Sequence, residues 1–231
     1  MVEQITLYSD QIGELVDRTL KIYNSKLKAQ PNSRVLICLA GVPGSGKSTL
    51  SSYVVNELNK HVSAVVLPQD GFHLYRHELK ELPNSEEAIF KRGAPFTFNS
   101  LAFLELVKKL DDPAYLDKTI AAPSFSHELK DPSEGKIIIT GDTNIIVIEG
   151  NYVLLNDENW NEISIHADDS WFMDTPLSVV RDRIIKRHVQ SGIVVNEQEA
   201  IKRVDESDLL NAKYILANSK PAKVIIKYRT E

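Results

Sequence analysis

Short, uninterrupted apolar runs alternate along the chain with longer stretches whose apolar residues recur every three or four positions. The first kind of pattern suits strands buried on both faces, and the second suits helices lying on a sheet. Ile12, Leu15, Val16, Leu20 and Tyr23 share one face of a helix that Ser9 or Asp10 can cap, reaching about residue 28. Pro31-Asn32-Ser33 ends it, and the apolar run at 35–40 reads as a strand. A glycine-rich turn and a helix at 47–59 follow. Further strands are expected at 62–67, 137–140, 144–148, 170–173 and 224–228, and further helices at 100–110, 176–190 and 196–217. Asn99 or Ser100, Thr175-Pro176 and Asn196 supply the helix starts, and Ser191-Gly192 a stop. Residues 70–98 mix charged and aromatic side chains without a period, which predicts irregular structure.

Apolar strands that alternate with helices imply a mostly parallel sheet covered on both faces, with ligands at the carboxyl ends of the strands. No repeat, low-complexity tract or long linker interrupts residues 1–231, so one domain is expected. Composition agrees, since 42% apolar and 26% charged residues can bury a core. A formal charge of −5 argues against nucleic acid as the main partner. The one cysteine, Cys38, excludes an intramolecular disulfide and reads as a buried structural thiol. Nothing resembles a signal peptide or a membrane span, which predicts a cytoplasmic protein without a membrane partner. A homo-oligomer is compatible with the sequence, which does not reveal the oligomeric state.

Candidate chemistry begins at Gly41-Val42-Pro43-Gly44-Ser45-Gly46-Lys47-Ser48, a full match to G-x-x-x-x-G-K-[ST], followed by Thr49. Glycines let successive amides face an anion, and the helix that starts at Lys47 adds the positive end of its dipole. Lys47 should reach the β- and γ-phosphates of ATP, and the Ser48 hydroxyl should ligate Mg²⁺. The fold class expected is therefore α/β of the P-loop NTPase type, with a helical lid. No Asn-Lys-x-Asp guanine motif follows. The strand at 145–148 ends in one carboxylate, Glu149, where motor ATPases end in a pair; this favours a kinase over a hydrolase and makes Glu149 a second metal-ligand candidate.

Asp70 follows the second strand and can orient an acceptor hydroxyl and take its proton, or coordinate Mg²⁺. The alternative is an ordinary Asp-Gly turn. Arg183 and Arg187 lie on one helix face beside Lys186, where they could close on the γ-phosphate as part of a lid at about 183–205. Asp182 next to Arg183 offers a salt-bridged surface helix instead, and Arg187 is the better candidate. Arg92 either steers an anionic or polar acceptor or sits in a solvated basic turn. His73 and His77 have helical spacing but lack the context of a zinc site, and Trp160 and Trp171 read as packing anchors.

Together the P-loop, Asp70-Gly71-Phe72-His73, Pro123-Ser124-Phe125-Ser126-His127 and Ile148-Glu149-Gly150 resemble the uridine kinase, pantothenate kinase and phosphoribulokinase group. The blocks 91–98, 149–152, 186–188 with Ser191-Gly192, and 208–212 are similar to fungal and bacterial proteins described as uridine-kinase-like or nucleoside-kinase-like. The resemblance runs in order from about residue 35 to 211. It implies a P-loop kinase fold, ATP with Mg²⁺, Asp70 as base, a mobile lid and a small-molecule hydroxyl acceptor. By the same resemblance Phe125 and His127 contact the acceptor, with His127 as a hydrogen-bond donor, and His73 and Tyr152 join them as acceptor-side candidates. A nucleoside-like acceptor leads. Ser126-His127 is closer to the pantothenate kinase pattern and keeps pantothenate-, sugar- or glycerate-type acceptors open. A non-catalytic ATP-binding regulator is the reading of a different class, and the presence of both Asp70 and Glu149 argues against it.

Overall fold

A computed structural model describes residues 4–31, 33–126 and 128–229. In chain order it begins with β1 (Ile5–Tyr8), α1 (Ile12–Ala29), β2 (Val35–Gly41), α2 (Lys47–Leu58) and β3 (Ala64–Pro68). The next elements are α3 (Arg76–Glu81), α4 (Ser85–Phe90), α5 (Ser100–Asp111), β4 (Ile120–Ser126) and β5 (Asp131–Ile139). Then come β6 (Ile145–Gly150), α6 (Trp160–Ile163), β7 (Asp169–Asp174) and α7 (Leu177–Gln190). Last are α8 (Glu197–Arg203), α9 (Leu209–Asn218) and β8 (Val224–Lys227).

Six strands form one parallel sheet in the order β1-β8-β7-β2-β6-β3. The periodicity of its central strand explains the layers. Leu36, Cys38 and Ala40 of β2 point into one apolar cluster, and Val35, Ile37 and Leu39 into the other. Side chains alternate across a strand, so a run that is apolar throughout needs cover on both sides. Leu15 and Val16 of α1 with Leu50, Val54 and Leu58 of α2 cover one face; Phe103 and Val107 of α5, Val180 and Ile184 of α7 and Ile215 of α9 cover the other. Each fully buried Val, Ile or Leu stabilises the fold by about 1.5–3 kcal/mol relative to exposure. The layers and the parallel sheet agree with the sequence pattern, and Asn99 and Asn196 accept the expected capping bonds from Ala102 and Glu199. No described helix is long and apolar enough to cross a membrane.

Four regions differ from expectation. Strand β1 is only four residues long, with half its side chains exposed, so it shows no apolar run. It adds in parallel to β8 at the sheet edge, and α1 starts after Gln11 rather than with a Ser9 or Asp10 cap. Residues 120–139 form an antiparallel hairpin, β4–β5, outside the main sheet. Pro123 and a register shift between Ala122 and Ser124 hide its first strand from a pattern search. The irregular region at 70–98 contains short helices α3 and α4. The helix expected at 196–217 is divided by a π-helical turn, Val204–Asp208, between α8 and α9.

Candidate active site

Strand β2 lies between β7 and β6 in the sheet, so the loop leaving its carboxyl end emerges at the centre of the molecule. Chain order reverses at this position, and such switch points open a crevice above the strands. The loop is fastened from behind. Thr175 Oγ1 donates to the Ser45 carbonyl at 2.8 Å, and Arg183 Nη1 reaches the Gly44 and Ser45 carbonyls at 3.3 Å. With these carbonyls engaged and the Ser45 amide donating to the Val42 carbonyl at 3.1 Å, the start of α2 is left to face an anion. Residues 44–50 of the loop and helix line a cavity of about 820 Å³. Its far wall comes from Tyr53, Arg187 and, unexpectedly, Ser9, Asp10, Tyr228 and Arg229. The last four are brought together only by the pairing of β1 with β8, so no local motif marks them.

Lys47 is 9% exposed, with Nζ 3.9 Å from Glu149 Oε1. Burial lowers the Lys47 pKa below its ordinary value, opposed by Glu149 and then Asp70, while Arg187 pushes in the same direction as burial. Burial likewise raises Glu149, against the pull of Lys47; Asp70 raises it further, and a hydrogen bond with Ser48 lowers it. Lys47, Glu149, Asp70, Ser48 and Arg187 thus form one electrostatic cluster. Lys47 and Glu149 are under-solvated within it, a condition that phosphate oxygens and a divalent cation would relieve. The donor set fits Mg²⁺: a hydroxyl and one or two carboxylates, with substrate phosphates and water completing the shell. No group of three or more His, Cys, Asp or Glu among the described residues forms a metal cage of its own.

Asp70 is exposed in a 3₁₀ turn, Gln69–Phe72, directly after β3. Because Pro68 pairs with Glu149, the two carboxylates stand at adjacent strand ends. They lie outside the lining of the 820 Å³ cavity. Lys47 lines that cavity and interacts with both carboxylates. Gly71 is pressed on the hairpin: a Cβ there would lie 2.2 Å from the Pro123 carbonyl oxygen, so the turn carrying Asp70 and β4 fit only without a side chain.

Beyond Asp70 the wall is aromatic. His73 bonds the Asp70 carbonyl through Nδ1 at 2.8 Å and packs 4.0 Å from Phe98 and 4.9 Å from Phe125, centroid to centroid. Burial lowers its pKa, partly opposed by Asp70. Of the two readings of Arg92, the structure speaks against the solvated turn. Its Nη2 donates to Asp131 at 2.6 Å and to the Leu74 carbonyl at 2.9 Å, its Nη1 donates to the Lys130 carbonyl, and its guanidinium lies 5.6 Å from the Phe125 ring centre. Tyr152 also differs from expectation. It is fully buried, donates to the Gly93 carbonyl and packs on Phe98 and Trp160, so it supports the acceptor-side loop from behind. Trp160 and Trp171 are buried anchors, as expected. His127 lies outside the described residues.

The two lid candidates separate. Arg183, bonded to the P-loop and stacked 4.5 Å from the Tyr228 ring, belongs to the nucleotide wall; Arg187 is exposed and lines the cavity. Elsewhere on α7, Arg181 pairs with Asp205 at 2.8 and 3.0 Å. His188, which in sequence has only a place in the block 186–188, is buried and bonds Asp208 at 2.8 Å across the 191–196 loop.

This fold and this cluster define a P-loop kinase. The sequence is 35% identical over 217 residues to the Schizosaccharomyces pombe protein named "Putative uridine kinase C227.14", spanning 93% of this chain and 89% of that one. It is 38% identical over 158 residues to the Aspergillus versicolor "ATP-dependent kinase-like protein notR'", spanning 68% and 92%. The chain belongs to this family of uridine-kinase-like, ATP-dependent kinases. A Silicibacter structure described as a "putative fructose transport system kinase" superposes with a TM-score of 0.81 at 28% identity, covering 93% of this chain and 98% of that one. YFH7 of Saccharomyces cerevisiae shares the fold with a TM-score of 0.83 at 22% identity, covering 96% and 100%. The profile of the nephrocystin 3 N-terminal family matches residues 20–89, which carry the P-loop and the Asp70 turn.

Proposed function

We propose that the protein transfers the γ-phosphoryl group of Mg·ATP to a hydroxyl of an uncharged, nucleoside-like small molecule. The observation that carries this reading is the meeting of Lys47, Glu149 and Asp70 at three neighbouring strand ends, with the cavity on one side of Lys47 and the aromatic wall on the other. Loop amides and Lys47 hold the β- and γ-phosphates, and Ser48 and Glu149 hold Mg²⁺. The cation, when bound, neutralises charge on the phosphates. Asp70 orients the acceptor hydroxyl and accepts its proton as the oxygen attacks phosphorus. Arg187 approaches from α7 as the lid at about 183–205 closes, adding positive charge where the transition state gathers negative charge.

Two features favour a neutral, flat acceptor. The part-buried His73 and Phe125 offer ring faces, with the buried Phe98 packed against His73. Arg92 is committed to Asp131 and two carbonyls and so does not offer a cation to an acidic acceptor. The test is a panel of nucleosides, sugars, glycerate and pantothenate, scored by ADP release and by the mass of the product. A nucleoside should give the highest kcat/KM. Phosphorylation of glycerate or pantothenate alone would overturn the acceptor class, and ADP release no faster than with water for every compound would overturn phosphotransfer itself.

A further inference from the structure

We propose that Gln69 is a positioning residue that braces Asp70 and Glu149 at a fixed spacing, an inference that rests on the phosphotransfer reading above. Its side chain is fully buried, and Oε1 accepts the Tyr152 amide hydrogen at 2.9 Å. Gln69 directly precedes Asp70 at the end of β3, and Tyr152 lies three residues beyond Glu149 past the end of β6. One side chain therefore spans the ends of the two strands that deliver the carboxylates. The span is possible because residue 150 is glycine. A Cβ there would stand 2.2 Å from Gln69 Oε1 and 2.4 Å from Gln69 Cβ, closer than any real packing allows.

Two physical arguments give this contact a purpose. Asp70 and Glu149 repel each other, as the influence of Asp70 on Glu149 shows. Unbraced strand ends would let them relax apart, by a distance that matters for in-line transfer. An amide is also an expensive way to fill space: Gln69 Nε2 is buried without a protein acceptor, and Asn151 Oδ1 close by in sequence lacks a donor. A methionine would fill a similar volume without burying an unpaired donor. The feature it would lack is the acceptor for Tyr152, which identifies that bond as the reason for glutamine. Gln69 does not touch the phosphoryl group. It acts through its neighbours.

The experiment compares Gln69→Ala, Gly150→Ala and the double variant with wild type. It measures melting temperature, binding of ATP in EDTA, and binding of ATP with Mn²⁺. Gln69→Ala should weaken Mn²⁺·ATP binding on the order of tenfold, the scale of lost outer-shell support for a metal, and change metal-free ATP binding by less than about twofold. Gly150→Ala should shift binding in the same direction, because its methyl group expels Gln69. Since both changes break one contact, the double variant should be no weaker than the weaker single. Gln69→Met should behave as Gln69→Ala does in Mn²⁺·ATP binding. Unchanged Mn²⁺·ATP affinity in Gln69→Ala, multiplied losses in the double variant, or equal losses of both affinities alongside a lower melting temperature would each overturn the brace. So would a wild type that binds ATP equally with and without Mn²⁺. Absence of phosphotransfer in the wild type would instead sink the kinase reading, while the Mn²⁺ measurements still judge Gln69.

Discussion

Every residue of β2 and β6 is buried, and the P-loop grows from that layer with its carbonyls tied to Thr175 and Arg183. The hairpin β4–β5 stands outside the sheet: Ile120, Ala122 and Ile139 at its base join the core, and its outer part is held to the same cleft by a few specific contacts, Gly71 against Pro123, Arg92 to Asp131 and Lys130, and Tyr75 to Glu134. The phosphate side is therefore placed by apolar burial, which is spread over many side chains and tolerant of single changes. The outer part of the hairpin is placed by individual polar ties and one close approach, each of which can fail alone. In the proposed function, this contrast separates phosphate chemistry from the choice of acceptor.

The contrast can be broken from the phosphate side first. Lys47→Met should reduce turnover by roughly a thousandfold, the scale of losing one preorganised charge aimed at a transition state. The hydrophobic layers should still fold, so far-ultraviolet circular dichroism should be unchanged. Gly71→Ala attacks the junction. Its methyl group meets backbone, which cannot rotate aside, so the hairpin and the Asp70 turn must separate. A loss in kcat on the order of a hundredfold is expected, with ATP affinity preserved, as for a reacting group displaced by about an ångström.

Arg92→Ala tests the acceptor side alone. Removing its ties to Asp131 and the two carbonyls should cost about 1–3 kcal/mol of stability by denaturant titration, and should raise the KM for the acceptor more than that for ATP. The smallest effect concerns pH. Burial raises Glu149 above its ordinary carboxylate value, so the unfolded chain releases this proton at lower pH than the folded one. Its contribution to stability is therefore fullest at low pH and declines as pH rises through the folded value. Glu149→Gln removes that decline: the melting temperature of the variant relative to wild type should increase from about pH 4.5 to about pH 7.5.

Legibility in sequence follows the same division. The run Val35 to Ala40, the P-loop and the run ending at Glu149 announce themselves because burial on both faces demands unbroken apolar character and phosphate binding demands glycine at fixed places. Asp70 could be singled out because it ends the next strand. Strand β1 could not, since four half-exposed residues carry no period, and with it went Tyr228 and Arg229 as cavity residues. The hairpin hid behind Pro123. Arg92 and Tyr152 stand in recognisable blocks, but a block does not reveal that their side chains hold the wall together. Gln69 drew no reading and His188 only a place in the block 186–188, because their importance comes from partners 83 and 20 residues away.

In the proposed mechanism Asp70 and the P-loop lysine act on one phosphoryl group. Asp70→Asn tests this most directly, because the change keeps shape and removes the proton acceptor. With the acceptor identified by the panel, kcat should fall by about a hundredfold to ten-thousandfold while the dissociation constant of ATP stays within about twofold of wild type. Turnover at the wild-type rate in that variant would contradict the account.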